Sequence, residues 1–319
     1  MATPAIDIPQ EFTAISKAVA DPLRTSILRA LARDSFGVLE LCRVFDVAQP
    51  ALSHHLKLLL NARLVAKRRE GNSIYYRRSA TRPVGLSNYV ATIFETLDGL
   101  PPDPLLDMGI ARVHRERSRS SEAFFADNAK RFQNQQALIC EPATYADAAV
   151  ELLDDLPRAA RVLEVGPGDG DLLIRLAARC NHVHAIDNVP AMLQRARERI
   201  AAEALGNVTL ELADFASHER ADYQLIVAGM VVHHAPSPAA FFQHAAQLLL
   251  DDGALLVIEL CEHDQDWVKD ACGDLWLGFE PDQLDDWANH AGLVSGASQY
   301  LAQRNGFRIQ LRKYYKSIH

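Results

Sequence analysis

Apolar residues recur with two different periods along this chain. Residues 15–32 show helical spacing, broken at Asp21-Pro22, where an acid before a proline signals a helix start. Residues 38–44 form a short helical run, and Phe45-Asp46-Val47-Ala48 a turn. From Gln49-Pro50 a second helix places Leu52, Leu56 and Leu59 on one face and Gln49, Ser53, His54 and Lys57 on the other. Two strand-like runs, 64–70 and 73–78, flank Gly71-Asn72 and read as a hairpin. Helix, turn, helix and basic hairpin predict a mostly-α winged helix-turn-helix.

From residue 145 the pattern changes to alternation of helix and strand. Helices are expected at 145–156, 171–179, 189–202, 238–250 and 281–291. Strands are expected at 162–165, 182–187, 208–213, 224–228 and 254–260. The cores of two strands, 225–227 and 255–258, are apolar throughout, as in a parallel sheet covered on both faces. The last two runs, 294–301 and 307–314, flank Asn305-Gly306 and predict an antiparallel hairpin. Between head and body, Leu100-Pro101-Pro102-Asp103-Pro104 marks a break, followed by a charged helical stretch over 110–132 whose charges read as a solvated face. The expected organisation is a head over 1–100, a linker or helical lid over 101–130, and an α/β body over 131–319. Phe124, Phe125 and Phe132 in the linker are expected to pack on the body.

Charge sharpens this division. The net charge is -8, yet residues 1–100 carry 13 Lys+Arg against 9 Asp+Glu, and the remainder 20 against 32. A basic head on an acidic body suits a polyanion that meets only the head. The second helix of the pair fits a major groove, its polar face reading base edges, while Lys67, Arg68, Arg69, Arg77 and Arg78 on the wing track phosphates. The five cysteines are scattered and odd in number, which fits a reducing cytoplasm. There is no run of 18 apolar residues and no secretion signal at the start, so a cytoplasmic protein without a membrane span is expected.

The chemistry concentrates in Arg161 to Cys180, RVLEVGPGDGDLLIRLAARC. A short strand leads through Gly166, Gly168 and Gly170 into a helix, a turn that lets backbone approach a ligand. The spacing is not that of the dinucleotide fingerprint. Asp169 and Asp171 beside the turn would repel a pyrophosphate and suit a ligand carrying an ammonium and a sulfonium, such as S-adenosylmethionine. The stretch resembles motif I of class I methyltransferases, giving a Rossmann-like body with a C-terminal antiparallel hairpin. The resemblance implies that Glu164 and the three glycines hold the cofactor and that Asp187 takes the ribose hydroxyls. It places Asn188 and Met192 at the adenosine, Asp214 and Phe215 at the adenine, and Gly229 and Met230 beside the methionine moiety. S-adenosylhomocysteine would occupy the same place.

The head resembles the ArsR/SmtB family of bacterial repressors through ADPLRTSILRAL (20–31), AQPALSHHLKLLLNARLV (48–65) and KRREGNSIYY (67–76). That resemblance implies a homodimer on double-stranded operator DNA, contacted from Gln49, Ser53 and His54. His55 leans toward the leucine face and reads as core. The family's metal sensors use paired thiolates; here Cys42 stands alone, and no metal site is expected.

Two functions compete. One is a transcription regulator whose body binds S-adenosylmethionine or S-adenosylhomocysteine as effector. The other is a small-molecule methyltransferase with an autoregulatory or dimerising head. For catalysis, His233, His234 and His263 are base candidates, with packing of the loop as their alternative role. The four-residue signature of nucleic-acid amino-methyltransferases is absent at 229–234.

Overall fold

The computed structural model describes residues 7–79 and 85–317. It divides into two compact units, Met1–Arg117 and Ser118–His319. The first contains α1 (Ile8–Val19), α2 (Pro22–Ala30), β1 (Phe36–Gly37), α3 (Val38–Phe45), α4 (Gln49–Asn61), β2 (Val65–Glu70), β3 (Ser73–Arg78) and α5 (Ser87–Asp98). Asp21 caps α2 by accepting from Arg24 N at 3.0 Å, so the Asp-Pro pair starts a helix as its chemistry requires. Leu52, Leu56 and Leu59 are fully buried in a core shared with Ile27, Leu28, Leu41 and Val90. The wing is a three-stranded antiparallel sheet, ordered β1-β3-β2.

A 36-residue helix, α6 (Pro104–Ile139), follows, and the boundary between the units falls within it. Its first half belongs to the head. Leu106 and Val113 enter the head's core, and Gly109 lies so close to Val44 that an added Cβ would sit 2.6 Å from the Val44 carbonyl oxygen. Arg117 is buried and donates from Nε and Nη2 to Glu40 at 2.8 and 2.7 Å, and from Nη2 to the Ser35 carbonyl. Glu40 also accepts from Gly37 N at 2.7 Å and so holds the start of α3. The charged stretch read as a solvated surface therefore conceals a buried ion pair. The Phe132 side chain lies outside the described residues.

The second unit contains α7 (Pro142–Glu151), β4 (Arg161–Val165), α8 (Asp171–Arg179), β5 (His182–Asp187), α9 (Pro190–Ala202), β6 (Val208–Leu212), β7 (Tyr223–Gly229) and α10 (Pro238–Leu248). Then come β8 (Leu249–Leu260), α11 (Trp267–Cys272), α12 (Pro281–His290), β9 (Leu293–Ala302) and β10 (Arg308–Lys316). The strands form one sheet in the order β6-β5-β4-β7-β8-β10-β9. Strands β4 to β8 are parallel to one another, and β10 runs antiparallel to both β8 and β9. The expected mixed architecture is thus present: a winged helix-turn-helix followed by a Rossmann-like α/β sheet ending in an antiparallel hairpin.

Strand β8 begins at Leu249, earlier than the expected 254, because Leu249 already pairs with Tyr223. Strand β4 pairs with β5 on one side and β7 on the other, so the chain changes winding direction between β4 and β7. Open α/β sheets leave a crevice at that point, beyond the carboxyl ends of the strands.

Candidate functional site

The glycine turn lies at that crevice. Gly166, Gly168 and Gly170 all have positive φ (68°, 54° and 82°), a conformation that side chains resist. A Cβ on Gly166 would come within 3.1 Å of Val231, whereas Gly168 faces open space. Gly170 N bonds the Pro167 carbonyl at 2.8 Å, closing the turn, and α8 starts immediately after. Leu172, Leu173, Leu176 and Ala177 anchor α8 in the core. That anchoring aims the helix start at the crevice.

Two acids there have no counter-charge among the described residues. Glu164 is buried on β4, its Oε2 without a hydrogen-bond partner among the described residues. Burial raises its carboxyl to about 8. Asp187, at the end of β5, accepts from Val189 N through Oδ1 at 2.8 Å. Burial raises it to about 6, against the pull of that bond. Both suit a ligand that brings a cation or hydroxyl donors.

Asp169 and Asp171 are different. Asp171 pairs with Arg199 at 2.9 Å, and Asp169 lies 3.7 Å from Arg195. Their charges are already answered by α9, so the ligand charge inferred from them rests instead on Glu164 and Asp187.

Around the turn, Asn188 is exposed and Met192 buried. Asp214 is exposed and caps a 3-10 turn by accepting from Ala216 N. Phe215 packs on Phe241 with the rings tilted by 33° and their centroids 4.4 Å apart. Gly229 ends β7, and Met230 follows with φ 54°, a left-handed backbone in a non-glycine residue. Tyr145 on α7 was not anticipated. Its ring approaches Gly229, and burial, then the charges of Cys140, Glu164, Asp171 and Asp169, push its phenol well up.

The three histidines separate. His233 and His234 sit together in the 3-10 turn Val232–His234, ring centroids 4.2 Å apart. His233 is buried; its Nδ1 bonds Glu259 Oε2 at 2.8 Å, and its backbone N bonds Glu259 Oε1 at 3.1 Å. Burial opposes a charge on this ring, but Glu259 and Asp274 outweigh burial and raise it to about 9. His233 is thus committed to buried carboxylates. His234 packs edge-on against Phe125 at 5.0 Å, and burial together with His233 pushes it well below its usual value. His263 stands outside this group: its Nδ1 accepts from Gln265 N, and its ring packs on Phe307. No metal site was expected, yet His233, His234 and Asp274 bring donor atoms within 4.8 Å of one another. Asp274 escaped sequence reading because it lies 40 residues beyond the histidines, with no motif around it.

Comparison with known proteins matches this division. Residues 135–309, more than half of the chain, match the methyltransferase domain family. Residues 21–67 match the bacterial regulatory protein, arsR family. The chain belongs to both families. Its head is 33% identical over 94 residues to the transcriptional repressor SmtB homolog of Synechocystis sp., covering 30% of this chain and 71% of that protein. Its body is 29% identical over 172 residues to the ubiquinone biosynthesis O-methyltransferase of Xylella fastidiosa, covering 48% of this chain and 70% of that protein. Its fold is similar to that of the magnesium protoporphyrin IX methyltransferase of Synechocystis with bound SAH. That similarity has a TM-score of 0.52 at 18% identity, over 63% of this chain and all of that one.

In the arsR-family head, Gln49, Ser53, His54 and Lys57 are exposed on α4, opposite its buried leucines. His55 is half-buried, 3.6 Å from Asp21. The wing is less free than its charge suggested. Lys67 and Arg69 are exposed, and Arg77 is half-buried. Arg78 donates to Asp98 from Nη1 and Nη2 at 2.8 and 2.6 Å and to the Leu28 carbonyl from Nε, beneath the Phe94 ring. Arg68 pairs with the buried Glu70. Arg68 thus ties β2 internally, and Arg78 ties the wing to α2 and α5.

Proposed function

We propose that this chain is a transcription regulator whose head binds double-stranded operator DNA as a homodimer and whose methyltransferase body binds S-adenosylmethionine or S-adenosylhomocysteine as effector. The observation that carries the first half is the exposed polar face of α4: Gln49, Ser53, His54 and Lys57 point away from the core that Leu52, Leu56 and Leu59 fill. Such a face can enter a major groove, with Lys67, Arg69 and Arg77 on flanking phosphates. DNA sets the place of action as the cytoplasm.

For the second half, Glu164 would take the ammonium and Asp187 the ribose hydroxyls. Gly166, Gly168 and Gly170 admit the ligand's backbone-hugging edge. Asn188, Met192, Asp214 and Phe215 would border the nucleoside, and Gly229 and Met230 the amino-acid part. The unpartnered Oε2 of Glu164 is what a cationic ligand satisfies. Functionally, the division is a DNA-binding head over 1–100, a helical linker over 101–130 and the nucleoside-binding body over 131–319. Helix α6 gives the coupling a physical carrier, since one uninterrupted helix contributes Arg117 to one unit and Phe124 and Phe125 to the other. A ligand that favours one arrangement of α6 would shift the population of DNA-competent dimers.

A second reading, methyl transfer to a small molecule, draws support from the polar group beside Met230. S-adenosylmethionine supplies an electrophilic methyl when bound. His234, held well below its usual value by burial and by His233 and less buried than His233, would be the one to face an acceptor, and His233 would orient its surroundings.

The experiment is DNA binding to the protein's own upstream region with and without each nucleoside. An affinity change supports the regulator, and no change refutes the effector role. Time-dependent formation of S-adenosylhomocysteine with a metabolite pool would favour the second reading.

A further inference from the structure

The polar group beyond β7 and β8 has a geometry that hydrogen bonding alone does not account for. Glu259 is held through both oxygens: it accepts from His233 N, His233 Nδ1 and Leu260 N at 3.1, 2.8 and 3.1 Å. With Nδ1 so held, His233 turns Nε2 toward Asp274 Oδ1, 3.8 Å away. His234 Nδ1 lies 4.0 Å from the same oxygen. Both separations are too long for hydrogen bonds. The Asp274 carboxylate is buried, and neither oxygen has a hydrogen-bond partner among the described residues. Its loop is nonetheless fixed, since Leu275 N and Trp276 N both donate to the His233 carbonyl at 3.1 and 3.2 Å.

We propose that His233, His234 and Asp274 form a binding site for one divalent transition-metal ion of the zinc class. Bonds of about 2.0–2.2 Å at a tetrahedral centre put donor atoms roughly 3.3–3.6 Å apart, so small side-chain rotations close this site. The ion would satisfy the carboxylate that nothing else satisfies. Glu259 is the outer partner that metal-bound imidazoles characteristically have, fixing the ring and its tautomer. Two imidazoles and one carboxylate select zinc, cobalt, nickel or iron over magnesium and calcium, which take oxygen-rich sets. Three protein donors leave a fourth position for water or an oxygen-bearing ligand. The site does not depend on what the glycine cradle holds.

The test is titration of chelator-treated full-length protein with Co2+, read by visible absorption and by metal content after desalting. One ion per chain with visible bands is expected. Asp274→Asn and, independently, His234→Gln should each weaken Co2+ binding at least tenfold, with far-UV circular dichroism and melting reporting that the variants fold. His263→Gln should bind as the unaltered protein does. Absence of stoichiometric Co2+ binding would overturn the site, and so would wild-type binding by a folded Asp274→Asn or His234→Gln variant. In either case His233 is simply a protonated bridge between two carboxylates.

Discussion

Glu164→Gln isolates the group on which the cradle's ligand charge rests. The folded chain holds the Glu164 proton up to about pH 8, whereas the ordinary value is 4.5. Between those values the folded state keeps a proton that the unfolded state releases. The contribution to stability is therefore full below about pH 4.5 and is lost as pH rises through 8. Glutamine cannot lose that proton. At pH 7 the interval of about 2.5 units corresponds to about 3 kcal/mol, and at pH 5 to less than about 1 kcal/mol. With roughly 2–4 °C per kcal/mol for a unit of this size, the variant should melt on the order of 6–12 °C above the unaltered protein at pH 7. The gap should shrink toward pH 5. A nucleoside that brings an ammonium should reverse the order: losing a charge-assisted bond costs about 1.5–3 kcal/mol, roughly 10- to 150-fold in affinity. Thermal melts from pH 5 to 8, with and without S-adenosylhomocysteine, read both effects. A gap that does not change with pH, or equal nucleoside affinity in the two proteins, would refute the reasoning.

Other perturbations separate the parts of the account. Asp187→Ala should weaken nucleoside binding at least tenfold by calorimetry while leaving DNA affinity without nucleoside unchanged. Gly166→Ala introduces a Cβ at φ 68° and 3.1 Å from Val231, and should lower both melting temperature and nucleoside affinity, by about 1–3 kcal/mol in stability. Lys67→Ala should reduce the salt dependence of DNA binding by about one counterion per subunit. Arg78→Ala should instead lower the melting temperature, because it leaves Asp98 and the Leu28 carbonyl without their donor. Glu40→Ala strands the buried Arg117 and should cost about 3–5 kcal/mol, read by denaturant unfolding of the head.

What was legible in the sequence was whatever local periodicity and turn chemistry encode. Leucines four and three residues apart in α4 specify its buried face, and glycines before α8 specify a turn at positive φ. Asn305-Gly306 specifies the final hairpin. What was not legible was pairing across long separations. Asp169 and Asp171 looked like free charge because Arg195 and Arg199 lie a strand and a helix away. Arg78 looked like a phosphate contact because Asp98 lies 20 residues away, at the end of α5. Arg117 looked solvated, since its partner is 77 residues distant. Asp274 joins two histidines only after α11 has turned the chain back. Charge alone carries no sign of which carboxylate a guanidinium will meet.

The central claim is that the nucleoside held by the body controls the head. Its most direct test is the dissociation constant of the full-length protein for its upstream DNA at fixed salt, measured without nucleoside and with saturating S-adenosylmethionine or S-adenosylhomocysteine. One of them should change affinity at least fivefold, the lower end of usual allosteric coupling. That change should vanish in Asp187→Ala. Identical affinities in all three conditions, from a protein that demonstrably binds both the nucleoside and the DNA, would contradict the claim.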